Sequence, residues 1–207
     1  MILLTYIYGI TYPIDQIVEI CKAHDIEIVE DAAEAYGGNE YTGHPNAILT
    51  MFSFGLIKRC SAFSGNIAFI RDKMLFECMN SINESYPSQD QKLYLKRAIK
   101  FLVPFMVANN PIVYVTFLSV TRALKIEIFE MIISKLRGFN PNDNYLLKFQ
   151  LRPCAANIAF LHYRLNSFNK LEYLSKAKML QKAVDILTAN GIKCPGYQVK
   201  ERGFWFE

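Results

Sequence analysis

The sequence is poor in the residues that bind metals, and the few it has are badly spaced for that purpose. Its three histidines lie far apart, and its five cysteines are odd in number and never occur in a C-x-x-C spacing. These patterns argue against a metal site and against a disulfide framework. We therefore predict no metal, reduced thiols and a cytoplasmic location.

The sequence also has no dense block of basic residues. Its net charge is +4, which is only mildly basic, and we predict no binding of nucleic acid. Hydrophobic residues make up 52% and charged residues 20%. That balance excludes a disordered chain and favours a packed globule.

One stretch without charge, residues 101–121, raises the question of a membrane. Asn109-Asn110-Pro111 interrupts it, and proline removes a hydrogen-bond donor and clashes with the preceding helical turn. We therefore predict two apolar helices that pack on a core or on an oligomer interface, rather than a transmembrane span. Contact of these helices with a membrane surface is the alternative.

The first thirty residues have the pattern of a βαβ unit. Residues 2–8 are apolar and aromatic, Pro13 opens a helix with apolar residues at three-four spacing, and residues 26–31 form a second apolar run. Strand, helix and strand over this length predict two parallel strands.

The rest of the chain changes from α/β to helical. Short strands are predicted at 48–54 and 66–70 and a helix at 72–83, and the pattern is almost wholly helical from 91 to 190. In the helix that starts at Ala155, the following residues share the predicted buried face: Ile158, Leu161, Leu165 and Phe168.

Three chemically useful side chains follow successive predicted strands. They are Asp31, Ser53 and Lys58, and ligands of parallel sheets bind beyond the carboxyl ends of the strands. A lysine amine condenses with an aldehyde, a carboxylate can keep a pyridine nitrogen protonated, and a hydroxyl can donate to a phosphate. Taken singly, Asp31 is equally well explained as a turn or helix-capping residue, and Lys58 as a solvated surface lysine.

Order and spacing together are more specific than any one residue. The segments that carry them are Tyr8-Gly9, residues 13–17, Val29-Glu30-Asp31-Ala32-Ala33-Glu34-Ala35-Tyr36-Gly37 and Phe52-Ser53-Phe54-Gly55-Leu56-Ile57-Lys58. This set resembles the DegT/DnrJ/EryC1/StrS aminotransferase family. The resemblance implies the aspartate-aminotransferase fold, a homodimer and pyridoxal 5'-phosphate as cofactor. It further implies a keto-sugar nucleotide as substrate and an amino-acid donor, glutamate or glutamine.

The resemblance also assigns roles to individual residues. Asp31 matches the aspartate that pairs with the pyridine nitrogen, and Glu34 stands where the family commonly has a glutamine near the ring's 3-hydroxyl. Ser53 matches the phosphate-binding serine and Lys58 the catalytic lysine that holds the cofactor as a Schiff base. A related dehydratase branch has histidine in place of this lysine, so Lys58 argues against a dehydratase.

A second, shorter match lies near residue 150. Phe149-Gln150-Leu151-Arg152 is similar to the family's Asn-x-Arg, which reaches the cofactor of the neighbouring subunit. Gln150 replaces the asparagine, which puts that contact in doubt.

The resemblance divides the chain into three parts. Residues 1–90 are predicted to be part of the cofactor-binding large domain, with a mostly parallel sheet and flanking helices. Residues 91–147 form an apolar helical insert, and residues 148–207 form long helices that lead into a truncated small domain. By the usual size of such domains, the resemblance implies roughly a hundred preceding residues, with the backbone amides that bind the cofactor phosphate.

Two hypotheses of function follow. In the first, the chain is a pyridoxal-phosphate-dependent aminotransferase that uses Lys58. In the second, it is a catalytically inactive, truncated member of the family that acts as a binding or oligomerisation module. We expect the 207-residue chain alone to be inactive.

Overall fold

The computed structural model describes residues 1–123 and 149–194, which fall into two compact units. Described residues of the first unit are 1–82 and 155–194, and those of the second are 83–123 and 149–154. The C-terminal helices therefore belong with the N-terminal sheet, although the whole second unit lies between them in sequence. The predicted domain boundaries at 90 and 147 stay predictions.

The first unit is built on a four-stranded sheet. Its strands, in the order β1-β2-β3-β4, are Ile2–Thr5, Ile28–Asp31, Leu49–Ser53 and Asn66–Ile70. The first three strands are parallel, and β4 is antiparallel to β3. The predicted α/β class with a mostly parallel sheet is confirmed.

The predicted βαβ unit is present at the start of the chain. Helix α1 (Asp15–Ala23) connects β1 to β2, and its buried Val18 and Cys21 pack with Leu4 and Ile28 of the sheet. β1 ends at Thr5, earlier than predicted, because the chain turns into a short 3-10 helix at Ile7–Gly9.

The described part of the chain contains five further helices. They are α2 (Lys73–Ser85), α3 (Gln91–Asn109), α4 (Pro111–Ala123), α5 (Ala155–Asn166) and α6 (Lys170–Ala189). The predicted break is confirmed, since α4 begins at Pro111 and the Asn110 Oδ1 accepts a hydrogen bond from the Val113 N–H at 3.2 Å. Among the residues described, no helix is both long enough and apolar enough to cross a bilayer.

Some predictions lie outside the described residues. These are the predicted helical insert from residue 124 to 147 and the predicted start of a small domain after residue 194.

The apolar residues predicted to be buried from Ala155 onward, in α5 and just after it, differ from the structure at one position. Leu161, Leu165 and Phe168 pack against the core, but Ile158 is 54% exposed. The neighbouring Asn157 is buried instead, because its amide hydrogen-bonds to the backbone of a loop below the helix. At this position, hydrogen bonds to the loop rather than the apolar spacing determine which residue of the helix is buried.

A buried carboxylate organises the carboxyl end of β2. Glu30 is fully buried, and its oxygens accept hydrogen bonds from the Tyr6 and Tyr41 hydroxyls at 2.5 and 2.7 Å. They also accept from the Thr50 hydroxyl at 2.8 Å and from the His44 N–H at 2.7 Å. A buried charge is tolerated only when it is this well hydrogen-bonded.

Gly43 lets the backbone close over this carboxylate. Its φ is +97°, and a Cβ there would lie 2.5 Å from the Glu30 Oε2 and would overlap the Thr50 hydroxyl. Any side chain at position 43 would therefore break the Glu30–Thr50 hydrogen bond or move the loop.

The hydrogen bonds to Glu30 determine its protonation. Burial acts to raise the pKa of the carboxyl, but the hydrogen bonds from Tyr6, Tyr41, Thr50 and the His44 N–H outweigh it, so that the pKa is lowered. Burial and the bonds to Glu30 raise the pKa of the Tyr6 hydroxyl in turn, and that of Tyr41 rises to about 12. Both phenols therefore remain donors at neutral pH.

Replacing Glu30 tests this arrangement. We expect Glu30→Gln to lower the free energy of unfolding by about 2 to 3 kcal/mol, because hydrogen bonds to a charged group are lost and an amide N–H faces donors. Urea denaturation of the chain measures this, with Glu27→Gln, an exposed glutamate next to β2, as the matched control.

The same pair of variants gives a pH test. Since the folded pKa of Glu30 lies below its ordinary value of 4.5, its contribution is complete above that value and is lost as the pH falls through the folded pKa. Glu30→Gln should remove this part of the acid sensitivity, whereas Glu27→Gln should keep it. Equal acid sensitivity in both variants would contradict the assignment.

Candidate functional site

The carboxyl ends of β2 and β3 place two predicted site residues on the same face of the sheet. Asp31 is in register with Met51, and Ser53 follows two residues later on β3. Side chains alternate along a strand, so Asp31, Met51 and Ser53 share one face while Glu30 and Thr50 point to the other. The Glu30 face is buried, and the Asp31 face is half-buried.

Asp31 makes a local contact at the end of its strand. Its Oδ1 accepts a hydrogen bond from the Ala33 N–H at 3.0 Å, and the Ala35 N–H donates to the Ala32 carbonyl at 2.9 Å. This is the turn geometry in which aspartate commonly starts a loop. The turn carries the chain from Asp31 to Glu34 just beyond the edge of the sheet.

Lys58 and Glu34, both predicted from the sequence, lie in contact. The Lys58 Nζ is 3.2 Å from the Glu34 Oε1, and their side chains are 16% and 26% exposed. The Glu34 Oε2 accepts a hydrogen bond from the Tyr8 N–H at 2.8 Å. Because the second oxygen is held by the backbone, Glu34 gives the lysine amine a fixed position near β2.

The backbone that donates a hydrogen bond to the Glu34 carboxylate has an unusual conformation. Tyr8 has φ 59° and ψ 23°, a left-handed conformation that costs energy for a residue with a Cβ. The N–H of this residue is the donor to Glu34. The strained turn after β1 thus orients the carboxylate that contacts Lys58.

A tight turn connects Ser53 to Lys58. The Lys58 N–H donates to the Gly55 carbonyl at 3.0 Å, and the Gly55 N–H lies 3.5 Å from the Ser53 hydroxyl. A Cβ built on Gly55 would lie 3.7 Å from the Ser53 Oγ and 4.0 Å from the Lys58 Cγ. The hydroxyl and the lysine stem therefore flank the same point beside Gly55.

Helix α5 holds the loop that follows Lys58. The Asn157 amide donates to the Ala62 and Ser64 carbonyls at 3.2 and 3.3 Å, and the Arg164 Nε donates to the Ser61 carbonyl at 3.1 Å. Three of the four carbonyl groups from Ser61 to Ser64 thereby accept hydrogen bonds from one helix. The loop that follows Lys58 is therefore held by residues about a hundred positions later in the chain.

Arg59, next to Lys58, is a buried cation that connects three segments. Its guanidinium lies 4.3 Å from the centre of the Tyr173 ring of α6, and its Nη1 donates to the Tyr36 carbonyl at 2.5 Å. Its Nε and Nη2 are buried without a hydrogen-bond partner among the described residues. Burial lowers the pKa of the guanidinium, and Tyr173 partly offsets that effect.

Gln150 and Arg152 belong to the second unit, and the contacts described for Arg152 are within it. The Arg152 Nε donates to the Tyr86 carbonyl at 2.8 Å, and its N–H donates to the Pro87 carbonyl at 2.9 Å. The Gln89 N–H donates to the Arg152 carbonyl at 2.8 Å. Gln150 is exposed.

Sequence reasoning missed the residues that support the site. Asn157, Arg164 and Arg59 act through carbonyl groups and a ring that are remote in sequence, so no local spacing reveals them. One signal was available for Glu30, because a carboxylate that alternates with Asp31 on a buried strand must face the core.

The sequence of the chain matches a family of known proteins. The model of the DegT/DnrJ/EryC1/StrS aminotransferase family matches residues 1–110, which is more than half of the chain and includes β1 to β4 and Lys58. The chain belongs to the DegT/DnrJ/EryC1/StrS aminotransferase family. This confirms the resemblance inferred from the sequence.

Solved aminotransferases resemble the chain over part of their length. One is Helicobacter pylori PseC, an aminotransferase involved in the biosynthesis of pseudoaminic acid, with 21% identity over 43% of this chain and a TM-score of 0.36. Another is the aminotransferase TlmJ from Streptoalloteichus hindustanus, with 20% identity over 42% of this chain and a TM-score of 0.36. The chain spans only 24% of the length of each. Because both TM-scores are below 0.5, family membership here rests on the sequence match.

Membership of the DegT/DnrJ/EryC1/StrS family implies pyridoxal phosphate as the cofactor. The described side chains fit this group in their chemistry, since a lysine amine, two carboxylates and a hydroxyl occur together at the carboxyl ends of β2 and β3. A Cβ at Gly55 would make ordinary van der Waals contacts with both the Ser53 Oγ and the Lys58 Cγ, so the hydroxyl and the lysine stem lie close to the same point.

Arg59 offers a test of how the lysine loop is held. Met fills most of the volume of arginine without two buried, unpaired N–H groups, whereas Ala leaves a cavity. We expect Arg59→Met to stay within about 1 kcal/mol of the unsubstituted chain in its free energy of unfolding, and Arg59→Ala to lose about 3 kcal/mol. Urea denaturation of both variants measures the difference. Equal losses would show that the charge, rather than the volume, matters at this position.

Proposed function

We propose that the chain contributes the cofactor-carrying lysine, Lys58, of a pyridoxal-phosphate-dependent aminotransferase that acts on a keto-sugar nucleotide. The observation that carries the proposal is the Lys58–Glu34 contact at 3.2 Å, in a chain whose Asp31 and Ser53 share one face at the carboxyl ends of β2 and β3. All four residues lie in the segment that matches the family model.

Each residue has a role that its position supports. Glu34, fixed by the Tyr8 N–H, orients the Lys58 amine, and Ser53 offers a hydroxyl on the same side of Gly55 as the lysine stem. Asp31 offers a carboxylate for the pyridine nitrogen. Bound pyridoxal phosphate supplies an electron sink for the substrate carbon. The Lys58 Nζ, once free, would remove the proton from the substrate carbon as general base and deliver it as general acid to the other end of a 1,3-proton shift.

The proposal extends to partners that lie outside this chain. An amino acid, glutamate or glutamine, would supply the amine, and the enzyme would act as a homodimer in the cytoplasm. Gln150 and Arg152 would then contribute to the cofactor site of the neighbouring subunit. For Arg152 this requires the Nε to leave the Tyr86 carbonyl, or the remaining guanidinium N–H groups to make the contact.

A second candidate function is a binding module without catalysis. It is favoured by large apolar side chains that are exposed on α3 and α4 of the second unit, such as Ile99 and Ile112 at 63% and 79%. Uptake of the cofactor separates the two candidates.

Chemical trapping tests the role of Lys58. The chain is incubated with pyridoxal phosphate and then with borohydride, and digested peptides are examined by mass spectrometry. We expect the added mass on the peptide that contains Lys58, because a half-buried amine near a phosphate-binding hydroxyl captures the aldehyde selectively.

Two lysine variants make the result specific. Lys58→Ala should abolish the label, whereas Lys73→Ala, which removes a lysine that is 88% exposed, should leave it unchanged. Equal labelling of surface lysines, unchanged in Lys58→Ala, would refute the role of Lys58. Absence of any specific label would favour the non-catalytic module.

Glu34 is tested by the same trapping reaction at a limiting cofactor concentration. Glu34→Gln keeps a side-chain oxygen that can accept from the lysine, so we expect labelling close to that of the unsubstituted chain. Glu34→Ala loses this acceptor, and labelling should fall roughly three- to tenfold, as expected for one hydrogen bond of about 1 kcal/mol. Glu27→Ala is the control for removal of an exposed glutamate. If Glu34→Ala labels as well as the control, the contact has no positioning role.

A further inference from the structure

Helix α3 of the second unit carries an exposed apolar stripe. Leu95, Ile99, Leu102 and Met106 follow one another at four-three-four spacing, so they lie on one side of the helix. They are 44 to 63% exposed, although exposed helix faces are normally polar. Tyr94, on a different side of the helix, is buried.

A row of lysines lies beside this apolar stripe. Lys92, Lys96 and Lys100 are four residues apart and all exposed, so they form a second line parallel to the first. Residues 91–123 contain five basic residues and no acidic one, whereas the whole chain has 23 basic and 19 acidic residues. The positive excess of the chain is therefore concentrated on α3 and α4.

Helix α4 adds more exposed apolar surface with little charge. Ile112, Val115 and Val120 are 79%, 61% and 51% exposed, and Arg122 is its one charged residue. The two helices pack against each other within the second unit. The pair is thus apolar and basic, with neither helix able to cross a bilayer.

We propose that the α3–α4 pair binds the surface of a membrane that contains anionic phospholipids. An apolar stripe inserts into the boundary between headgroups and acyl chains, and lysines beside it contact lipid phosphates. An anionic membrane matches both the lysine row and the apolar stripe. Nucleic acid would contact the lysines but would leave the stripe exposed to water. A second copy of the chain, placed symmetrically on this face, would bring its own lysines close to these.

Vesicle flotation tests the proposal on the complete 207-residue chain. We expect the chain to float with vesicles of phosphatidylcholine that include about 30% phosphatidylglycerol, and to float far less with phosphatidylcholine alone. Binding to the anionic vesicles should weaken as salt increases, because the Debye length shortens. No binding to the anionic vesicles, or equal binding to both kinds, overturns the proposal.

Charge variants test the lysine row. Lys92→Gln, Lys96→Gln and Lys100→Gln together should reduce partitioning to anionic vesicles by more than about tenfold, since each basic residue near the surface contributes. The control removes the same charge from α6 in the first unit: Lys176→Gln, Lys178→Gln and Lys182→Gln. The control should bind like the unsubstituted chain, and an equal loss in both would show attraction to net charge alone, which overturns the assignment to α3.

Two double variants test the apolar stripe, because each replaces one isoleucine and one methionine by glutamine, on α3 or, as the control, on α6. Ile99→Gln with Met106→Gln replaces side chains that are 63% and 62% exposed on α3, whereas Met179→Gln with Ile186→Gln replaces two that are each 65% exposed on α6. Only the first pair should reduce vesicle binding. Circular dichroism verifies that both remain folded, as substitution at exposed positions should allow.

Self-association is measured on the same samples. If the chain binds no vesicles and forms an oligomer that Ile99→Gln with Met106→Gln dissociates, a second copy covers this surface and the proposal is wrong. A monomer, or an oligomer that the variants leave intact, together with selective flotation, supports it.

Discussion

Glu30 is charged, has no contact with water, and receives hydrogen bonds from three separate segments of the chain. Tyr6 follows β1, Tyr41 and His44 belong to the loop before β3, and Thr50 lies within β3. A buried carboxylate without these donors would be too costly to retain, so the end of β1, the loop and β3 have little freedom to move apart. Because side chains alternate on β2, fixing Glu30 towards the core also fixes Asp31 towards the opposite face.

The lysine loop is held in a comparable way from another part of the chain. Asn157 and Arg164 of α5 satisfy backbone carbonyl groups after Lys58, and Arg59 connects the same loop to α6 through Tyr173. Local strain is also present, at Tyr8, which presents its N–H to Glu34. The lysine is therefore positioned by polar contacts rather than by hydrophobic packing alone, and these contacts come from both ends of the first unit.

Much of this arrangement could be predicted from the sequence, for identifiable reasons. The βαβ unit has strong apolar periodicity, and Asn110-Pro111 is a specific signal for the start of α4. The motif spacing placed Glu34 and Lys58 after neighbouring strands, but it did not predict that the two side chains would be in contact with each other. The burial of Asn157 in place of Ile158 could not be predicted, since it depends on two carbonyl groups about 95 residues earlier in the chain. Likewise, the sequence indicated two apolar helices on either side of Asn109-Asn110-Pro111 but could not tell which side chains would stay exposed.

The order of the chain has a consequence for how the first unit is assembled during synthesis. The four described strands and the lysine loop all lie before residue 71, but α5 and α6, which contact that loop, begin only after the second unit. A ribosome that releases residues from the N-terminus onwards therefore exposes the loop before its partners exist. Contacts over such long sequence separations close slowly. The second unit consequently has time to fold, and to meet whatever surface it binds, before the lysine is fixed in place.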